Sequence, residues 1–183
     1  MLQTLLNSCP LIVTFNLEYC SVLKKIELLN LQKIKSVSMR MCRYQRVKIE
    51  APTLEHLFLS GFEDEYPMLD IIDAPNLVSL EYLGNQIPKT FVEANFQWSC
   101  HPTRFILGSN TTRIKRFLDC LLYMKNSSHS TSCGNKDLHS MQLKEVKAYK
   151  FDHENQRWHH VQLESGNLLS LRKLERFCFI LDW

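Results

Sequence analysis

Between Leu11 and Asn85 the apolar residues follow one short rule, apolar-x-x-apolar-x-apolar. Seven copies read Ile12-Phe15-Leu17, Leu23-Ile26-Leu28, Ile34-Val37-Met39, Tyr44-Val47-Ile49, Leu54-Leu57-Leu59, Tyr66-Leu69-Ile71 and Leu77-Leu80-Tyr82. Their first residues lie 11, 11, 10, 10, 12 and 11 positions apart. In each copy the last two apolar residues are separated by one residue, which puts them on the same face of a strand. The residues between them then face solvent. About ten residues hold a strand and a turn but no helix of ordinary length. Such a unit buries its apolar side only against neighbours, so the even spacing predicts stacked coils.

Taken alternately, the copies form full coils. The first, third, fifth and seventh begin at 12, 34, 54 and 77, giving coils of 22, 20 and 23 residues. That is the length of a leucine-rich repeat, whose motif continues to an Asn or Cys at its ninth position. Ile12 leads to Cys20, Ile34 to Cys42 and Leu77 to Asn85, while Leu54 leads to Phe62. The odd copies are therefore expected as concave strands, with Cys20, Cys42 and Asn85 turned inward to bond the turn. The even copies are expected as second strands on the convex side, in place of the usual helices. The predicted fold is α/β: a strand-rich leucine-rich-repeat solenoid over 1–88 and an α/β region over 89–183 that extends it. On the concave face the outward positions include Asn16, Glu18, Ser38, Arg40, His56, Phe58, Ser60 and Glu81. These are the candidate partner-binding residues, and Phe58 stands out because an aromatic on an open strand face is a common contact anchor.

Outside the repeats the pattern changes. Leu2, Leu5 and Leu6 suggest the tail of a helix entering the first strand. No polar cap covers the first coil, so either an earlier segment or a partner is expected there. Ala51-Pro52 and Ala74-Pro75 mark coil corners, since proline cannot donate to a ladder. Residues 61–67 form an acidic loop at the longest step. Phe91, Phe96 and Trp98 are expected to plug the last coil. After a strand at 104–108, Ile114, Phe117, Leu118, Leu121 and Leu122 trace the apolar face of a helix from Asn110 or Thr111 to about Lys125. A polar loop follows, then a strand from Leu143 to Phe151. Trp158, Val161, Leu168 and Leu169 suggest a partial helix, and Arg176–Trp183 a last strand. This β-α-β-α-β order favours a cap whose strands pair in parallel with the solenoid sheet.

Composition narrows the chemistry. The net charge is +3 and the charges are segregated: residues 24–48 are mostly basic, residues 50–81 mostly acidic. Basic residues without interleaved aromatics do not make a nucleic-acid platform. No run of 18 apolar residues suggests a membrane span. Seven cysteines, an odd number at apolar or motif positions, suggest free thiols in a reducing compartment, nucleus or cytoplasm. His153, His159 and His160 cluster without a second ligand group, so no metal is expected. No cofactor-binding or catalytic motif is present, and no enzyme is expected.

The phrases Asn7-Ser8-Cys9-Pro10-Leu11-Ile12, Ile49-Glu50-Ala51-Pro52, Ile72-Asp73-Ala74-Pro75-Asn76-Leu77 and Glu81-Tyr82-Leu83-Gly84 go together with Trp98, Cys100-His101-Pro102, Gln142–Lys147 and the closing Arg176–Trp183. This set resembles the C-terminal region of plant F-box/leucine-rich-repeat proteins of the FBD type, whose fold is RNI-like. The resemblance implies the substrate-binding part of an SCF-type ubiquitin ligase, with a target protein on the concave face. Adaptor of the Skp type and cullin would be reached only through an F-box, and no L-P-x-x-[LI]-L helix precedes these repeats. A stand-alone interaction scaffold or decoy without a ubiquitin role is the alternative. A small-ligand or polyphosphate sensor would need basic residues on the concave strands, where only Arg40 qualifies.

Overall fold

The computed structural model describes residues 2–9, 11–41, 45–61, 68–84, 102–109, 111–127, 143–162 and 175–183. Through the repeats the chain deals its strands alternately to two sheets. Strands β1 (Thr14–Glu18), β3 (Ser36–Arg40), β5 (His56–Ser60) and β7 (Ser79–Leu83) pair in parallel in the larger sheet. Strands β2 (Lys25–Leu29), β4 (Arg46–Glu50) and β6 (Met68–Asp73) pair in parallel in the smaller one. The odd and even copies of the motif thus separate as their alternation predicts. Register keeps equivalent residues together: Phe15, Val37, Leu57 and Leu80 align across the larger sheet, as do Leu17, Met39, Leu59 and Tyr82. Those rows point into the core, and burial alternates along each strand accordingly.

Corners close by short turns. The amides of Leu54 and Leu77 donate to the carbonyls of Ala51 and Ala74, at 3.1 and 3.0 Å. A proline follows each alanine, its fixed φ suited to that turn position. Both alanines are fully buried, so the corner has room for a methyl group and little more. Side chains tie one coil to the next: Thr53 Oγ1 donates to the Ile34 carbonyl and Asn76 Nδ2 to the Pro52 carbonyl. The short helix α1 (Leu2–Asn7) precedes β1, buries Leu6 and packs near β2.

The C-terminal half continues the larger sheet. Strand β8 (Arg104–Ser109) lies parallel to β7, as expected. Helix α2 (Thr111–Ser127) buries Ile114, Phe117, Leu118 and Leu121 on one face. Phe117 sits between Phe105 and Phe179, with ring centroids 4.8 and 5.5 Å away. The rest departs from the expected parallel cap. Strands β9 (Glu145–Asp152) and β10 (Arg157–Val161) form an antiparallel hairpin, where the spacing of Trp158 and Val161 predicts a partial helix. Strand β11 (Glu175–Asp182) inserts between β8 and β9, antiparallel to both. The order is β1-β3-β5-β7-β8-β11-β9-β10. The turn explains the hairpin. Asp152 Oδ1 accepts the amides of Glu154 and Asn155, and Gln156 takes φ of 51°. So short a connection reverses the chain, whereas a parallel crossover needs a dozen residues or more. One continuous cluster of buried side chains runs from Leu6 to Leu181.

Several expectations lie outside the described residues: the boundary at 88/89, the loop 62–67, the aromatics Phe91, Phe96 and Trp98, the cap residue Asn110, the turn residues Cys42 and Asn85, and Leu168 with Leu169.

Candidate recognition face

The face of the larger sheet away from the core carries the outward positions of the motif. Register arranges them in rows. Asn16, Ser38, Phe58 and Glu81 form one row; Glu18, Arg40, Ser60 and Leu83 form another; Thr14, Ser36, His56 and Ser79 form the third. All eight candidate residues therefore share one face. Asn16, Glu18, Arg40 and His56 are exposed, and Ser38, Phe58, Ser60 and Glu81 half-buried. Over β1, β3 and β5 all but one of the side chains are polar, four of the nine bearing hydroxyls, and Phe58 is the large apolar group among them.

The same face runs on beyond the repeats. Arg104, Ile106 and Gly108 of β8 stand opposite Ile180, Cys178 and Arg176 of β11. Lys147 and Tyr149 of β9 align with Ile180 and Cys178. Tyr149 and Phe151 align with His160 and Trp158 of β10. Half of the face is thus polar and small, and the other half aromatic and cationic. Where they meet, Arg176 Nη2 donates to Glu81 Oε1 across β8, a half-buried ion pair. The Arg176 guanidinium also lies over the Phe151 and Trp158 rings, 5.8 and 5.9 Å from their centroids. Gly108 has space on its outer side for Leu83, whose Cδ2 a Cβ there would meet at 2.8 Å.

Arg40 is partnered: its Nε lies 3.8 Å from Glu18 Oε1. Among described residues Arg104, Lys147 and Arg176 join it on this face, beyond the repeat strands, on which the sequence offered Arg40 alone. Burial pushes the Cys178 thiol up, an effect that Arg104 opposes. A thiol held in its neutral form is a poor nucleophile. His159 Nε2 lies 3.5 Å from Asp152 Oδ2, while His160 meets Tyr149 edge-on and His153 meets Phe151 edge-on. Among the described residues no three His, Cys, Asp or Glu side chains converge, and no helix is long and apolar enough to cross a membrane. The face offers hydroxyls, ring faces and paired charges, which is contact chemistry.

Two features escaped the sequence. The inward hydrogen bond expected of Cys20 is made by Gln45, whose amide donates to the carbonyls of Cys20 at 2.7 Å and Leu23 at 2.6 Å. Gln45 is only 1% exposed. Cys20 supplies its backbone to the turn instead. The aromatic half of the face was also missed, although Arg176-Phe177-Cys178-Phe179-Ile180 alternates and so sets Arg176 opposite to its buried phenylalanines.

Comparison with known proteins adds one finding. Residues 1–102 match the family model described as the leucine-rich repeats of FBD-associated F-box protein At5g56370. No curated protein and no solved structure matches the chain.

Proposed function

Since the chain belongs to the leucine-rich-repeat family of FBD-associated F-box proteins, we propose that it is the target-recognition part of an SCF-type ubiquitin ligase. The open face of the larger sheet holds the target, and an F-box supplies the contact to a Skp-type adaptor and so to cullin. The observation that carries this reading is the row Asn16, Ser38, Phe58 and Glu81. An open polar surface with an aromatic anchor suits a protein partner better than a small ligand. Proteins place their binding energy in a few such anchors, ringed by contacts that exclude water. A small ligand is instead held in an enclosing pocket.

The test is affinity capture from plant extract with the 183-residue chain, with its Phe58→Asp variant, and with both fused to an F-box. The reading expects one set of proteins bound by the parent chain and lost with Phe58→Asp. Cullin-complex subunits should appear only with the F-box fusions. Loss of ubiquitination of the captured set in the fused Phe58→Asp variant completes the expectation. Captured proteins whose abundance and ubiquitination ignore the F-box would leave the alternative of a stand-alone scaffold. Capture indifferent to Phe58→Asp would remove this face from the account.

A further inference from the structure

The first coil differs from those after it. Its inward residues Ile12 and Leu17 are half-buried, and Phe15 is 8% exposed. Their counterparts Ile34, Val37, Met39, Leu54, Leu57, Leu59, Leu77, Leu80 and Tyr82 are all buried. Large apolar side chains collect at the same end: Leu11 is 67% exposed, Val13 50%, Tyr19 54% and Val22 85%. That is four of the seven exposed large apolar side chains among the described residues, so the apolar exposure is concentrated here. An open depression of about 710 Å³ beside them is lined by Leu2, Leu17, Val22 and Leu23, among others. Surface of this kind marks an interface.

The two sheets do not end alike. β2, the terminal strand of the smaller sheet, lies against α1. Among the described residues β1 ends the larger sheet, with a ladder neighbour on one side only. An edge strand presents half its backbone groups outward, a template for a further strand. α1 thus closes this end of the smaller sheet, and the larger sheet is left open to one further strand.

We propose that β1 pairs with β1 of a second copy of this chain, antiparallel about a two-fold axis at Asn16, joining two larger sheets into one. The strand is complementary to itself in this register. Phe15 stands opposite Leu17 of the second copy, and Thr14 opposite Glu18, so no like charges meet. Just outside the strand, Val13 comes opposite Tyr19, and Leu11 comes near Val22. Apolar groups exposed at one end of the strand thus cover those exposed at the other. An isologous contact makes every such pair twice, so a partly covered strand completes its core on both copies.

The test uses the full chain in sedimentation velocity, beside Val13→Lys and Tyr19→Glu. Both sites are exposed, and circular dichroism checks that each variant folds. The parent chain should sediment as a dimer. Each variant alone should dissociate at least about tenfold more readily, having a charge against an apolar side chain. Mixed together, the two should recover a one-to-one dimer, because the introduced lysine and the introduced glutamate then face each other across the strands while the second contact stays native. A monomeric parent chain overturns the proposal. So does a dimer that neither substitution weakens, or a mixture that fails to recover.

Discussion

Gln45 carries a task that the repeat spacing assigned to cysteines. Its buried amide satisfies two carbonyls, of Cys20 and Leu23, at one turn. Replacing it by leucine keeps the volume but removes the donor from both carbonyls, leaving that of Cys20 with the Leu23 amide at 3.4 Å. Gln45→Leu should cost about 1–3 kcal/mol, read as a lower urea midpoint with an unchanged slope. The position was hard to see in the sequence because it falls in an even copy, one residue after its first apolar position. Nothing in hydrophobic periodicity marks a polar residue that points inward. Asp152 works in the opposite setting, at an exposed hairpin turn. Hydrogen bonds from the Asn155 side chain, and then from the backbone of Glu154 and Asn155, hold its carboxyl below the ordinary value of 3.8. A carboxyl lowered in the folded state adds stability above its unfolded pKa and loses it as pH falls through the folded one. Stability should therefore decline as pH drops below about 3.8, and Asp152→Ala should flatten that part of the curve. Denaturation followed from about pH 6 down to roughly 2 checks the sign.

Among elements, the repeat strands were legible and the hairpin was not. Each repeat strand but β6 shows its period of two within five residues, and the coil length then fixes its sheet; β6 carries an extra residue after Leu69, so that Ile72 and not Ile71 aligns with Ile49. In β10 the residues Trp158 and Val161 are three apart, which also fits a helix face. Only the Asp152 turn, local but polar, sends them to opposite sides of a strand. The Arg176–Glu81 pair joins β11 to β7 over the intervening β8. Since Arg176 is 34% and Glu81 21% exposed, solvent screens the pair and its value is modest. A double-mutant cycle of Glu81→Gln and Arg176→Met should give a coupling energy of about 1 kcal/mol. A null coupling would mean that Arg176 is held by Phe151 and Trp158 alone.

At the level of the whole molecule, the two sheets of the repeat region follow from a step of about eleven residues and its alternation. Family membership was readable from the same stretch. The candidate face was half readable: the repeats supplied Asn16 to Glu81, but Arg176, Phe151 and Trp158 reach it only through pairings between distant parts of the chain. Sequence patterns name a strand's faces and leave its neighbours open. Strand order bears on how the molecule comes into being. β11 is the last described strand to leave the ribosome, and it lies inside the sheet, between β8 and β9. During synthesis β1 to β8 can assemble in sequence, each new strand meeting a finished edge. The β9–β10 hairpin must wait, attached to nothing in that sheet, until β11 arrives and joins the halves in one late step.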